Sequence, residues 1–495
     1  MCTKHEKWIG IGLGLCILLS MLLFFERAHP LVILDSDDWG YLAVSRLAVP
    51  AAKFWNPARV FPEILEPYAA GLGALLFSRL GFIESVTAMN GLVLSLFITA
   101  YVLAFYRLLQ RRLRLPAGPA ALLSLLFLLM HFFLFRRELS GNCHLFSAND
   151  VTCVYFYVIP GLLNYTLVFL LAGSTLRERF WEKKDLVRKG FLVLAVYLAI
   201  FSNLYESIVL ASFCGVGLLA GLIGYFRAPR ESRSGRQLIE RQLFNLALLL
   251  LWFVSLAFES LGGRAGAVRG GSLAGSLQAL PTYFGGMSRL FLLFAAGALA
   301  ALALTALLRK KAAQDTDAFR SLFASLLPTA ALTLCFLILL SSRVNSAYIL
   351  RHDAMFAFSA AMILLPLLAL AELVRRFPRA AILLPLLLVV VYSGTNSSQR
   401  TFLDSNDIRA SAQLCTALDN AILEQVLDAE RSGQTEARVL VPDFGGGNWP
   451  LSSTMGPWVA ASLYKHGLTE TLMEIQIVPD PAMNARFHVL EAPGN

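Results

Sequence analysis

Charge is what this chain has least of. Asp, Glu, Lys and Arg make up 15% of its 495 residues against 57% hydrophobic ones, a balance that excludes an ordinary soluble protein and describes a polytopic membrane protein. The seven cysteines form no C-x-x-C pair and no metal-ligand spacing, which removes zinc ribbons and dithiol redox chemistry. Cys16, Cys214 and Cys335 sit within apolar runs, where cysteine acts as a small hydrophobe. Cys143 and Cys153 share one loop, and a bridge between them depends on geometry that sequence does not supply. There is no internal repeat and no phosphate loop: "DFGGGNWP", Asp443 to Pro450, lacks the Lys-Ser/Thr that would follow, so it reads as a turn. The net charge of +9 comes without any nucleic-acid motif, and basic residues collect in cytoplasmic loops for topological reasons, so no nucleic-acid partner is expected.

What is present is a series of apolar runs. A helix needs about 20 apolar residues to cross the hydrocarbon core. Such runs predict eleven transmembrane helices, near 8–25, 84–106, 116–135, 155–175, 190–204, 207–226, 242–258, 282–308, 321–341, 354–374 and 380–396. The first follows Lys4 and Lys7 and has no A-x-A site after it, so it reads as an uncleaved span. The run 62–80, "PEILEPYAAGLGALLFSRL", is expected to lie at the interface instead. Only then do the segments holding more than half of the 42 lysines and arginines fall on one side, which the positive-inside rule makes cytoplasmic. The expected domains are a membrane part, 1–397, with a first outside loop over 26–83, and a soluble extracytoplasmic α/β domain, 398–495. That tail carries 12 acidic against 6 basic residues. Its pattern predicts a helix near 404–430 and strands in "EARVLVPDF", "MEIQIVP" and "ARFHVLE".

Polar residues gather at one set of span ends. "VILDSDDWGY" places Asp35, Asp37 and Asp38 just past the first span. A carboxylate at the water-lipid boundary is partly desolvated and suits a general base. Two adjacent ones also fit a divalent cation, while the same residues serve as helix N-caps. On the same side lie Arg59, Asn203 and Glu206, and the aromatic run with Tyr157, Asn164 and Tyr165, a residue type common in interfacial belts. Arg264 and Arg269 stand among glycines, and Arg343, Arg351 and His352 share a later loop. Arginine grips phosphate in a bidentate way and glycine lets backbone approach an anion.

In their order these elements resemble the GT-C superfamily of integral-membrane glycosyltransferases, especially bacterial and phage-type glucosyltransferases of surface polysaccharide. The elements are Asp37-Asp38 before Trp39, Trp55-Asn56-Pro57-Ala58-Arg59, an interfacial helix, Met89-Asn90-Gly91, Gly161 to Tyr165, the Asn203/Glu206 bend and the late arginine loops, covering roughly residues 8–400. The chain departs from the pattern with a proline and an insertion before Arg59, and with Tyr205-Glu206 where His-Glu is expected. The resemblance implies a membrane glycosyltransferase in the cytoplasmic (inner) membrane, with its site on the extracytoplasmic face. It implies transfer of a sugar from a polyprenyl-phosphate donor to a glycan, lipid or protein acceptor by inverting displacement. Asp37 or Asp38 would be the base and the arginines would hold the phosphate. A transporter or flippase of lipid-linked sugars and a non-catalytic assembly protein are the alternatives; transporters place polar residues at mid-membrane and use inverted repeats.

Overall fold

The computed structural model describes residues 4–44, 57–136, 144–173, 186–261, 270–308, 317–396, 410–445 and 449–488. Helices dominate it, and ten of the eleven expected segments each overlap one apolar helix, the exception being 282–308. Seven are long and apolar enough to cross a membrane: α1 (Lys4–Leu23, continued by a π turn to Ala28), α4 (Phe82–Arg112), α6 (Val151–Gly173), α8 (Leu204–Arg227), α9 (Gly235–Leu261), α12 (Asp317–Arg343) and α13 (Phe356–Arg376). Three apolar helices are shorter: α5 (Ala117–Met130), α11 (Arg289–Leu308) and α14 (Leu384–Asn396). Helix α7 (Leu186–Ile200) has 15 residues, about 22 Å of rise. Leucine, valine and alanine supply the apolar surface throughout, and the buried residues of these helices form one large cluster. Side chains such as Trp8, Leu19, Phe253 and Leu293 point outward and are exposed, as lipid-facing residues are.

The expected helix over 282–308 is interrupted. Helix α10 (Leu273–Gly285) stops and α11 begins at Arg289. The break is fixed from outside: Arg136 N–H donates to Gly286 O at 2.8 Å, Ser288 N–H donates to Leu134 O at 2.8 Å, and Phe135 bridges Met287. Those backbone groups are satisfied across the gap rather than along a helix.

Two short helices occupy the first loop. Helix α2 (Ser36–Ala43) starts at Asp35, whose side chain accepts from Ser36 N–H at 2.6 Å, with Asp38 completing a capping box. Helix α3 (Glu66–Leu76) falls within the 62–80 run and has two distinct faces. It exposes Tyr68, Leu72, Leu75 and Leu76 and buries Pro67, Ala69, Ala70 and Gly73. A Cβ at Gly73 would stand 2.8 Å from Ser85 O and Met89 Cβ, so only glycine lets α3 lie this close to α4.

The tail contributes α15 (Ala412–Arg431), β1 (Glu436–Val441), α16 (Met455–Lys465), β2 (Glu474–Pro479) and α17 (Pro481–Arg486). The two strands pair in parallel, Val439 opposite Ile477, with α16 in the crossover. Of the third expected strand, 485–491, Ala485 and Arg486 are instead the end of α17, which Asp480 caps with Pro481 at the first helical position; Phe487 and His488 follow in a turn, and 489–491 lie outside the described residues. This unit shares a single core with the first loop and the start of α4: Ile33, Trp39, Leu42, Ile83 and Val86 pack with Leu418, Ile422, Val439 and Leu463. Ser462 Oγ donates to Trp39 O at 2.6 Å and Asn420 Nδ2 to Glu84 Oε1 at 2.7 Å.

Candidate functional site

At the end of the bundle that carries the C-terminal unit, a cavity of about 1050 Å³ opens between the ends of α8, α9 and α12. Its lining includes Arg59, Tyr157, Asn203, Tyr205, Glu259, Arg343 and Tyr348. Four residues that the sequence marked, Arg59, Tyr157, Asn203 and Arg343, therefore meet in one place although the chain separates them by up to 284 positions.

Each is positioned by a local device. Arg59 has φ 59°, a left-handed conformation that a non-glycine residue adopts at a cost of about 1–3 kcal/mol. Pairing with the bend after α7 holds it: Arg59 N–H donates to Ser202 O at 3.2 Å and Val60 N–H to Phe201 O at 3.3 Å. Its guanidinium then reaches Glu259, with Nε 3.4 Å from Oε1 and Nη2 3.3 Å from Oε2. Burial opposes the charge on Arg59, and the Glu259 carboxylate, with smaller help from Tyr41 and Glu63, outweighs that and raises its proton affinity. Asn203 caps α8 by accepting from Tyr205 N–H at 2.8 Å and donates to Phe156 O at 2.9 Å. Tyr157 sits in a π turn, Val154–Val158, a form frequent at functional sites. Gly271 lets the loop after α9 close on the end of α12, since a side chain there would collide with the carbonyls of Ser341 and Ser342. Arg343 stands exposed on the rim.

Arg351 lies behind this wall. It pairs in a bidentate way with Asp353, at 3.0 and 2.5 Å, donates to Cys153 Sγ at 3.2 Å, and sits 5.0 and 5.2 Å from the ring centres of Tyr157 and Tyr348. It stiffens two cavity tyrosines through cation–π contact and has its charge answered by Asp353. His352, next in sequence, turns the other way and stacks on Phe135 at 3.8 Å. Arg264, Arg269 and Cys143 lie outside the described residues.

The acidic pair divides. Asp37 is exposed, whereas Asp38 is 1% exposed. Asp38 Oδ2 accepts from Leu34 N–H at 2.9 Å and Oδ1 from Thr152 N–H at 2.7 Å. Thr152 Oγ1 also donates to Glu66 Oε1 at 3.2 Å. Burial pushes the Asp38 carboxyl up to about 6 despite these bonds, and pushes Glu66 well above the ordinary carboxylate range, with the charge of Asp38 adding to it. Asp419 of α15 joins the group: it is fully buried, and neither oxygen has a hydrogen-bond partner among the described residues. Burial, then Asp38, raises its proton affinity strongly.

The remaining marked residues are internal. Asn164 donates to Pro160 O and Ala199 O at 2.9 and 3.0 Å, and Tyr165 to Ala357 O at 2.5 Å, so both brace helices. Glu206 is fully buried and sits against the backbone of Ala357. Glu259, which reading the sequence missed, is the carboxylate that does line the cavity. Among the described residues no three His, Cys, Asp or Glu side chains come together as metal ligands.

The helices make the chain a multi-pass membrane protein. No protein-family model matches it, and no curated protein matches it either.

Proposed function

We propose that the protein is a GT-C type glycosyltransferase that takes a sugar from a polyprenyl-phosphate donor and passes it to a glycan, lipid or protein acceptor on the extracytoplasmic face of the cytoplasmic membrane. The observation that carries this is the cavity at the helix ends, where two arginines, three tyrosines and an asparagine converge. Arg343 supplies positive charge for a departing lipid phosphate, Arg59 adds a guanidinium held in place by Glu259 that the phosphate would share, and tyrosines with Asn203 suit the faces and hydroxyls of a sugar. In this reading the acceptor hydroxyl attacks the anomeric carbon, the bond to phosphate oxygen breaks, and the configuration inverts. Asp37 is the base. It is exposed, and it shares a face of α2 with Tyr41 one turn on, which lies within electrostatic range of Arg59. Asp38, filled by backbone donors, positions α2.

A second reading, a non-catalytic assembly protein, is favoured by one observation: Asp37, Asp38 and Glu206 do not line the cavity. Transfer from a radiolabelled polyprenyl-phosphate sugar, assayed with membranes carrying wild-type, Asp37→Asn or Glu259→Gln protein, separates the two. No transfer by the wild-type protein across a panel of sugars and acceptors sinks the enzyme reading.

A further inference from the structure

A second concavity at the same end of the bundle is separate from the cavity above. It is a groove of about 630 Å³ between α1, α5 and α14, within the size range of ligand sites. Met21, Leu128 and Phe132 form a buried floor, and Leu23, Val389 and Tyr392 form an exposed rim. One charged residue lines it, Arg27.

The placement of Arg27 follows from α1. Ser20, Leu23, Phe24 and Arg27 recur at helical spacing on one face, and all four line the groove. Glu26 turns aside, toward Gly91 of α4, where a Cβ would stand 3.5 Å from its Oε1. A cation at the end of an apolar slot that Tyr392 also lines matches the two parts of a phospholipid: chain in the slot, phosphate at the rim. The open side faces away from the protein, because the rim residues of α1 and α14 are more than half exposed.

We propose that this groove holds one acyl chain of a phospholipid from the leaflet on the side of the C-terminal unit, with the lipid phosphate against Arg27. The site is independent of the transferase reading and of the cavity that reading uses. Its back wall, Phe24 and Phe132, packs on His144, 5.4 and 5.2 Å between ring centres. An occupied groove therefore supports the aromatic and histidine layer beneath the 351–352 segment.

The test uses full-length protein in phosphatidylcholine nanodiscs containing a photoactivatable phosphatidylglycerol, with crosslinked peptides mapped by mass spectrometry. Labelling should concentrate on 20–28, 125–132 and 388–392. It should fall about fivefold with Arg27→Gln and with a photoactivatable diacylglycerol of the same chain, which lacks the phosphate. Val389→Trp, at an exposed rim position, should close the slot and reduce floor labelling without loss of folding. Labelling spread evenly over other lipid-facing helices such as α9 and α11, or unchanged by both Arg27→Gln and Val389→Trp, overturns the proposal.

Discussion

Arg59 and Glu259, 200 residues apart, meet at 3.3 Å across the mouth of the cavity, with 16% and 20% of their side chains exposed. The pair joins the segment before α3 to the last turn of α9. Because it is partly screened, its worth to stability should be modest, about 1 kcal/mol, and a double-mutant cycle with Arg59→Gln and Glu259→Gln in thermal unfolding measures that coupling. If the proposed chemistry holds, Arg59→Lys should lower transfer about tenfold or more, since an ammonium cannot replace the planar fork. A lysine variant as active as wild type would remove Arg59 from the phosphate site.

The two neighbouring aspartates should separate cleanly. Asp37→Asn should reduce transfer by a factor of about 100 or more, the scale of a lost general base, in protein that still folds. Asp38→Ala should unfold the first loop, because it abandons backbone donors of Leu34 and Thr152. Circular dichroism melts beside the transfer assay distinguish the outcomes.

The junction between the first loop and the tail should be more stable in acid. A carboxyl whose folded proton affinity exceeds its unfolded one keeps its proton longer in the native state, so stability falls as pH rises between the two values. For Asp38 that window runs from 3.8 to about 6, and Glu66 and Asp419 extend it upward. Hydrogen exchange of α2 and α15 at pH 5 and pH 8 should therefore show greater protection at pH 5. Glu66→Gln should flatten the difference, and equal protection at both values would contradict the assignment.

Asp419 offers a stabilising substitution. Its oxygens have no partner among the described residues and it is fully buried, so Asp419→Leu should raise stability by about 1–3 kcal/mol at pH 8. A lowered unfolding temperature would show that the carboxylate is held by something beyond these contacts.

Gly161→Ala should be among the most damaging single changes in α6. The new methyl would run into the Phe356 ring and stand 2.8 Å from Glu206 Oε2, at a cost of about 1–3 kcal/mol in a close-packed core. Expression yield and melting temperature in detergent report it.

The helices were legible because apolar runs of span length have few other uses, and a helix cap was one of the readings open for the aspartate cluster that starts α2. The break after Gly285 was not, because its cause lies in residues 134–136, far away in sequence. The expected strand over 485–491 was started too early, because Asp480-Pro481 announced a helix that runs to Arg486; alternation alone outweighed that signal. In the site, Arg59, Tyr157, Asn203 and Arg343 stood out as polar groups at span ends. Glu259 did not, since the expected helix ended at 258 and the arginines stood out in the loop that followed, whereas the helix runs on to Leu261. Asp419 carried a readable clue: it falls on the same stripe as Cys415, Ile422 and Val426, which are all buried.

The common core of residues 32–42 with 410–475 has a consequence for how the protein is made. The first of these segments leaves the ribosome nearly 400 residues before the second, so α2 and Asp38 wait without their packing partner through insertion of every later span. Closure is a late event of high sequence separation. A nascent chain halted before Leu418 would hold its helices in the membrane while the end bearing the carboxylates stays open, and release of the completed tail is what seals it.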